Sequence, residues 1–485
     1  MKAGFKLVKV VMIGLLICAA LAVSSQDTVA TGAAPVPITL EQALKIALSE
    51  SPSVKIADKE IQRTGYSRRG TYSALFPVID GSANYQRTIK KQVMYMDIDM
   101  GSIMGGGGET SGETSPSSSE SPLPTKGGIE VGRWNTWSAG VTAAMPLVNA
   151  QLWKSLKISD VDVELSVEKA RSSRLQVVEQ VKQAYFVCLL ARDAFNVYKG
   201  VYENAVANLN QIQKKYNVQK ASELELTRAK TTLANAVPNV YDAESAAYIS
   251  LWQLKAVMGI NLEENIDVTG TLGDYSDYMF LDLVTLENEE EGMGLDKNST
   301  LKQLALQAEQ LSHSIKLQQY ANIPSLALAF SFNMNAMTND FKFNEFQWSP
   351  YSYAGLSLSI PIFAGGKRAS AIKQAKIQAQ ELDIQRENTE RQLKIAIRQD
   401  LNTMETATKS YSAAVSAVES ATKAYSIAVK SYDVGRSTLT DLNDAQLALT
   451  QAQLSVSQAI YNFLVAKANL EVVLGADFTE DVEQN

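Results

Sequence analysis

The sequence predicts an α+β membrane protein in which long coiled-coil helical hairpins alternate with pairs of strands that cross a bilayer. Three observations predict it. The stretch YNVQKASELELTRAK at 216–230 returns as YDVGRSTLTDLNDAQ at 432–446, apolar residues follow strict heptads, and two alternating segments precede each long helix.

The first residues set the compartment. Lys2, Lys6 and Lys9 precede the apolar run 10–23, with small residues at Ala20, Ala22 and Ser24. That pattern predicts a secretory signal peptide over 1–24, too short to span a membrane as a helix. Cys18 lies inside the apolar core behind Ile17, so no lipid anchor is expected. Cleavage leaves Cys188 as the only cysteine, which excludes an intrachain disulfide and reads as plain core. A net charge of −7 argues against a nucleic-acid partner.

The echo holds without a gap from Val218/Val434 to Gly259/Gly475, which predicts two internal structural repeats, 25–260 and 285–476, joined by a connector over 261–284. In the first copy Val181, Cys188, Phe195, Tyr202, Leu209 and Tyr216 recur every seventh residue. In the second, Ile397, Met404, Tyr411, Val418, Tyr425 and Tyr432 do the same. Interleaved heptads fall mostly on alanine, as at Ala184, Ala191, Ala205, Ala407, Ala414 and Ala421, with Asp400 breaking one slot. Such a seam demands left-handed helix packing. Hairpins are expected over 151–259 and 367–475, with Pro238 kinking the first return helix.

The quoted stretches are the hairpin tips. Gly435 tolerates the positive φ that ends a helix, and Thr438-x-x-Asp441 and Ser222-x-x-Glu225 have the form of capping boxes. The bland reading of Asp441 and Glu225 is therefore capping, and that of Asp444 is a solvated helix face.

Strands are expected at about 324–340 and 350–364, where Leu326, Leu328, Phe330, Phe332 and Met334 alternate with small or polar residues. Weaker counterparts stand at about 78–96 and 133–148. Tyr85, Trp134, Trp137, Trp348, Tyr351 and Tyr353 lie near strand ends, as interfacial girdles do. Pro77 and Pro324 are 247 residues apart but Pro146 and Pro361 only 215, so the first strand pair carries 32 extra residues. They fall in 101–128, which is too poor in apolar residues to pack and reads as an exposed loop. Four strands cannot close a barrel, and open edges cannot face lipid, so further copies of the chain are required.

Enzymatic chemistry finds no support. His313 is the lone histidine, and GGK at 365–367 lacks the spacing and hydroxyl of a phosphate loop, so neither a catalytic group, a metal nor a cofactor is expected. The acidic run Glu287–Glu291 and the tail 477–485 read as solvated segments.

ITLEQALKIALSESPSV at 38–54, SIPIFAGGKRASAIKQA at 359–375 and YDVGRSTLTDLNDAQLALTQAQ at 432–453, in that order around strands, resemble the TolC family of outer-membrane efflux channels. The resemblance implies a homotrimer whose four strands per chain build a trimeric twelve-stranded β-barrel, continued by an α-helical periplasmic tunnel. It implies an outer-membrane exit duct that meets a periplasmic adaptor protein and an inner-membrane efflux pump or ABC exporter. Aperture positions carried over are Tyr432, Gly435, Asp441 and Asp444, with Arg436 following the glycine. The first copy supplies Tyr216, Glu225 and Arg228, with Gln219 in the glycine's place. Lys220, Ser222, Glu223, Ser437 and Thr438 are the expected adaptor contacts. A type I protein-secretion conduit of the same fold, and a periplasmic structural coiled-coil protein, remain as alternatives.

Overall fold

The computed structural model describes residues 35–94, 129–277, 279 and 294–476. The signal peptide, the loop 101–128, the acidic run and the tail lie outside them. The chain divides into two compact units. One holds the described residues of Met1–Ala47, Gln180–Met279 and Ala407–Asn462; the other holds those of Leu48–Glu179, Phe280–Thr406 and Phe463–Asn485.

The helices are α1 (Leu40–Glu50), α2 (Pro52–Ser73), α3 (Ala150–Asn217), α4 (Glu223–Met258), α5 (Ser299–Tyr320), α6 (Lys367–Asp433) and α7 (Leu439–Leu474). α3 and α6 run for 68 and 67 residues, and α4 and α7 for 36 each. Among the described residues no helix is long and apolar enough to cross a membrane. α4 is assigned without a break through Pro238. One ladder bond is lost at Ala234, and Ala236 and Ala243 of the same helix are buried.

The first unit contains the C-terminal part of α3, all of α4, the C-terminal part of α6 and most of α7. Nearly every seam position there is buried or half-buried; Tyr216 is the exposed member. Tyr185, Phe186 and Leu189 are buried as well, which the heptads alone do not foretell. The cause is a short parallel pair, β1 (Val36–Ile38) with β6 (Ile266–Val268), laid across α3. Tyr185 donates to the Thr269 carbonyl at 2.6 Å, Arg192 donates to the Val268 carbonyl at 2.6 Å, and Phe186 meets Tyr275 edge-on at 5.5 Å. Three-residue strands are too short to show alternation, so sequence reading leaves them as connector. Cys188 is 2% exposed and burial pushes its thiol up to about 11, in keeping with a core role.

The second unit contains the sheet, formed by β2 (Val78–Arg87), β5 (Asn135–Val148), β7 (Ser325–Thr338) and β8 (Ser349–Ser359), antiparallel and in that order. A small extension pairs β3 (Gln92–Met94) with β4 (Ile129–Val131). β8 ends before the expected residue 364, because Pro361 brings no N–H and Gly365 and Gly366 hold φ of 57° and 81° for the turn into α6. β2 likewise stops at Arg87 and pairing resumes only at Gln92.

Register separates two faces. Ile79, Ala143, Phe330 and Ala354 share a row; so do Gly81, Val141, Phe332 and Ser352; so do Tyr85, Trp137 and Ala336. The opposite face carries Asp80, Thr142, Ser331 and Tyr353, then Asn84, Ser138, Asn335 and Ser349. Leu328, Phe330, Leu356 and Leu358 on the apolar face are exposed. Leu326 to Ala336 rises roughly 33 Å along β7. At a tilt of about 40° that covers roughly 25 Å of height, the thickness of an outer-membrane apolar band.

Below the sheet, in the same unit, polar side chains tie helices together. Arg68 meets Asp160 at 2.7 Å, Arg174 meets Asp58 at 2.6 Å, and Arg171 donates to the carbonyls of Lys297 and Gly475 at 3.1 and 3.0 Å.

Candidate functional site

The sequence places its candidate residues at two helix–helix turns, and both turns are built alike. Gln219 N–H donates to the Tyr216 carbonyl and Lys220 N–H to that of Lys215, at 2.9 and 2.8 Å. Gly435 and Arg436 repeat the pair, onto Tyr432 and Ser431, at 3.1 and 2.8 Å. Each is a Schellman termination, which requires a left-handed residue. Gly435 takes φ 75°, and Gln219, without a glycine's freedom, nonetheless takes φ 60°.

Capping boxes then start the return helices. Ser222 N–H donates to Glu225 Oε2 at 2.8 Å and Glu225 N–H to Ser222 Oγ at 3.2 Å. Thr438 N–H donates to Asp441 Oδ2 at 2.8 Å, and Asp441 N–H to Thr438 Oγ1 at 3.2 Å. The hydrogen bonds from the Thr438 backbone and hydroxyl hold the Asp441 carboxyl below its usual range.

The four helix ends meet in an apolar cluster. Ile212 of α3, Leu226 and Ala229 of α4, Tyr432 of α6, and Leu439 and Leu442 of α7 are buried together. Tyr432 is thus a packing residue within the chain, and burial raises its hydroxyl pKa above the ordinary value, so it stays protonated. Its counterpart Tyr216 is 38% exposed. Arg228 reaches across to Thr440 Oγ1 at 3.4 Å, and Ser437 Oγ lies 3.4 Å from the Ala428 carbonyl.

Asp444, Lys220, Glu223 and Arg436 are exposed, and Lys220 and Arg436 enter the tips through their backbone N–H groups. Sequence reading missed three cross-hairpin contacts. Lys215 Nζ sits 4.9 Å from the Tyr432 ring centroid, Gln211 donates to Asp433 at 2.5 Å, and Asn443 donates to Thr232 at 3.2 Å. Nothing in the sequence marks them, since the partners stand more than 200 residues apart. Among the described residues no cluster of three or more potential metal ligands occurs.

Chemically the tips offer an apolar knot that fixes two hairpins side by side, with exposed cations and carboxylates on its surface. They offer no nucleophile or paired acid and base.

Comparison with known proteins agrees with this architecture. The profile of the family described as outer membrane efflux protein matches residues 43–260 and 293–476. Outer membrane protein TolC of Escherichia coli is 22% identical over 356 residues, covering 72% of this chain and 71% of that protein. The alkaline protease secretion protein AprF of Pseudomonas aeruginosa is 24% identical over 364 residues, covering 74% of each. The fold matches the Campylobacter jejuni CmeC outer membrane channel with a TM-score of 0.65 at 18% identity, over 92% of this chain and 88% of that one. It also matches the open state of the Neisseria gonorrhoeae MtrE outer membrane channel, with a TM-score of 0.65 at 16% identity, over 90% and 88%. These relatives are channel proteins rather than enzymes. With its family profile spanning both hairpins and its channel fold, the chain belongs to the outer membrane efflux protein family and resides in the outer membrane with a periplasmic tunnel.

Proposed function

We propose that the chain is the exit duct of a tripartite efflux system, a homotrimer that conducts substrates passively once an adaptor and an inner-membrane pump deliver them. The sheet carries the reading. Among the described residues β2 and β8 each have one strand neighbour, so two edges stand open beside an exposed apolar face. In hydrocarbon each unpaired backbone group costs several kcal/mol, so β8 of one copy pairs with β2 of the next. Three copies of four strands give twelve, with the polar face of Asp80, Ser331 and Asn84 lining the water-filled lumen. The two hairpins, whose ends lie 216 residues apart at Met258/Leu474 and Glu223/Leu439, are structural repeats in this reading.

The aperture lies at the tips. Asp441 and Asp444 from three copies form acidic rings that favour cations, and Arg228 or Arg436 ties a neighbour's hairpin through them until an adaptor intervenes. Among the described residues the Arg228 guanidinium meets a hydroxyl, that of Thr440, and no carboxylate, which leaves its charge available to a neighbour. Lys220, Ser222, Glu223, Ser437 and Thr438 offer the exposed or half-exposed tip surface for that adaptor.

The test is cross-strand bridging. Paired cysteines placed along β2 and β8, such as Ala83→Cys with Ser352→Cys, Pro350→Cys or Ala354→Cys, should yield covalent trimers after oxidation in the membrane. Monomers at every register would end the barrel reading. A protein-secretion conduit is the second reading, favoured by the similarity to the alkaline protease secretion protein AprF.

A further inference from the structure

The sheet ends remote from the helices of its unit carry a cationic and aromatic rim. Arg87 shares a row with Asn135 and Thr338 on the apolar face, directly beyond the row of Tyr85, Trp137 and Ala336. Aromatic rings thus mark the edge of the band, and a guanidinium stands one step further out. Tyr85 stacks on Trp137 at 4.4 Å and donates to Asn135 Oδ1 at 2.9 Å, which fixes the row. Two residues after Arg87 comes Ile89, 95% exposed, followed by Lys90 and Lys91. Lys91 Nζ sits 4.8 Å from the Trp134 ring centroid. Among the described residues no carboxylate pairs with Arg87, Lys90 or Lys91, whereas Lys342 nearby in the β7–β8 connection is paired with Glu345 at 3.7 Å.

An apolar side chain almost fully in solvent, flanked by free cations and aromatic rings, suits a lipid headgroup boundary rather than water. Rings with one apolar body and one polar edge settle at that depth, and arginine and lysine just outside it bind phosphate. Since the helical part of the chain is periplasmic, this end of the strands faces outward. We propose that Arg87, Lys90 and Lys91 bind the phosphate groups of the phosphorylated glycolipid of the outer leaflet, with the Tyr85 and Trp137 rings one row nearer its acyl chains. The proposal rests on the barrel reading above. Three cations within five residues match a ligand carrying two phosphates better than one carrying a single phosphodiester.

The experiment is native mass spectrometry of the full-length protein, incubated in detergent with bisphosphorylated lipid A, dephosphorylated lipid A or phosphatidylglycerol. Wild-type protein should retain the bisphosphorylated form at least ~10-fold better than either competitor, and Arg87→Gln/Lys90→Gln/Lys91→Gln should lose that preference. Should the triple variant fail to assemble, Lys90→Gln/Lys91→Gln, confined to an exposed turn, should still lose several-fold. Equal retention of all three lipids, or an unchanged preference in an assembled variant, overturns the proposal while leaving the barrel intact. Retention of no lipid of any kind, with failure to insert into bilayers, overturns both.

Discussion

Gln219 pays a conformational cost that its counterpart Gly435 avoids. Holding an L-residue at φ 60° costs roughly 1–2 kcal/mol relative to a right-handed conformation, partly offset by the two terminating hydrogen bonds. Gln219→Gly should therefore raise the stability of the first tip by about 0.5–1 kcal/mol, seen as a higher midpoint in denaturant or slower hydrogen exchange at Lys220. A drop in stability would show that the Gln219 side chain does something the fold needs. Asp400 makes the opposite kind of case. It occupies a seam slot otherwise given to alanine, and burial first, then the nearby Glu179, push its carboxyl up to about 6, against a hydrogen bond with Asn469. In the unfolded chain the proton leaves near 3.8. The carboxylate thus destabilises the fold fully above about pH 6, and the penalty fades as pH falls toward 4. Asp400→Asn should stabilise by about 1 kcal/mol at pH 7.5, a modest figure because the half-exposed group is screened by water. The gain should vanish in the same melt repeated at pH 4. The sequence shows Asp400 as a break in a pattern; its pairing with Glu179 is visible only after folding.

At the scale of elements, the four ends of the two return helices, α4 and α7, are set by local chemistry. Ser222 and Thr438 start them and Gly259 and Gly475 end them from within a few residues, and the helices span Glu223–Met258 and Leu439–Leu474. Gly475 carries an additional constraint that no local rule contains. It holds φ 69°, and a Cβ there would run into the Lys297 carbonyl, 2.7 Å from the carbonyl carbon. Arg171 binds the carbonyls of both residues, and Asn298 caps α5 while donating to Val473 at 2.7 Å. Gly435 has φ 75° and open space around it. Gly435→Ala should cost about 1–2 kcal/mol. Gly475→Ala should cost at least ~1 kcal/mol more, since backbone must move. Thermal unfolding of both variants checks the ranking, and equal costs would dismiss the Lys297 contact. Strand ends were less legible than helix ends. Pro361 and the glycine pair end β8 earlier than alternation suggests, and the short β1–β6 pair is tied to α3 by Tyr185 and Arg192, which donate to the Thr269 and Val268 carbonyls.

For the whole molecule, the proposed trimer makes the tips act through their copies. Asp441 is engaged in its own capping box, whereas Asp444 is exposed one turn on. The proposed rings then predict that Asp444→Ala raises single-channel conductance and lowers cation preference with little change in stability. Asp441→Ala should do the same while also loosening the tip. Unchanged conductance in both would remove these residues from the aperture.

The sequence by itself determined what depends on spacing along the chain: heptads, alternation, turn glycines and caps, each a consequence of backbone geometry repeated every few residues. From these the two hairpins, the strands of the sheet and the membrane setting could be read before any coordinates. Only the tertiary structure decided which faces close against one another. It buried Tyr432 but left Tyr216 in solvent, set Arg228 beside Thr440, and joined β5 to β7 so that among the described residues one sheet runs from β2 to β8. The physical reason is that such contacts pair residues hundreds of positions apart, where no periodicity reaches and only the three-dimensional packing of side chains selects the partner.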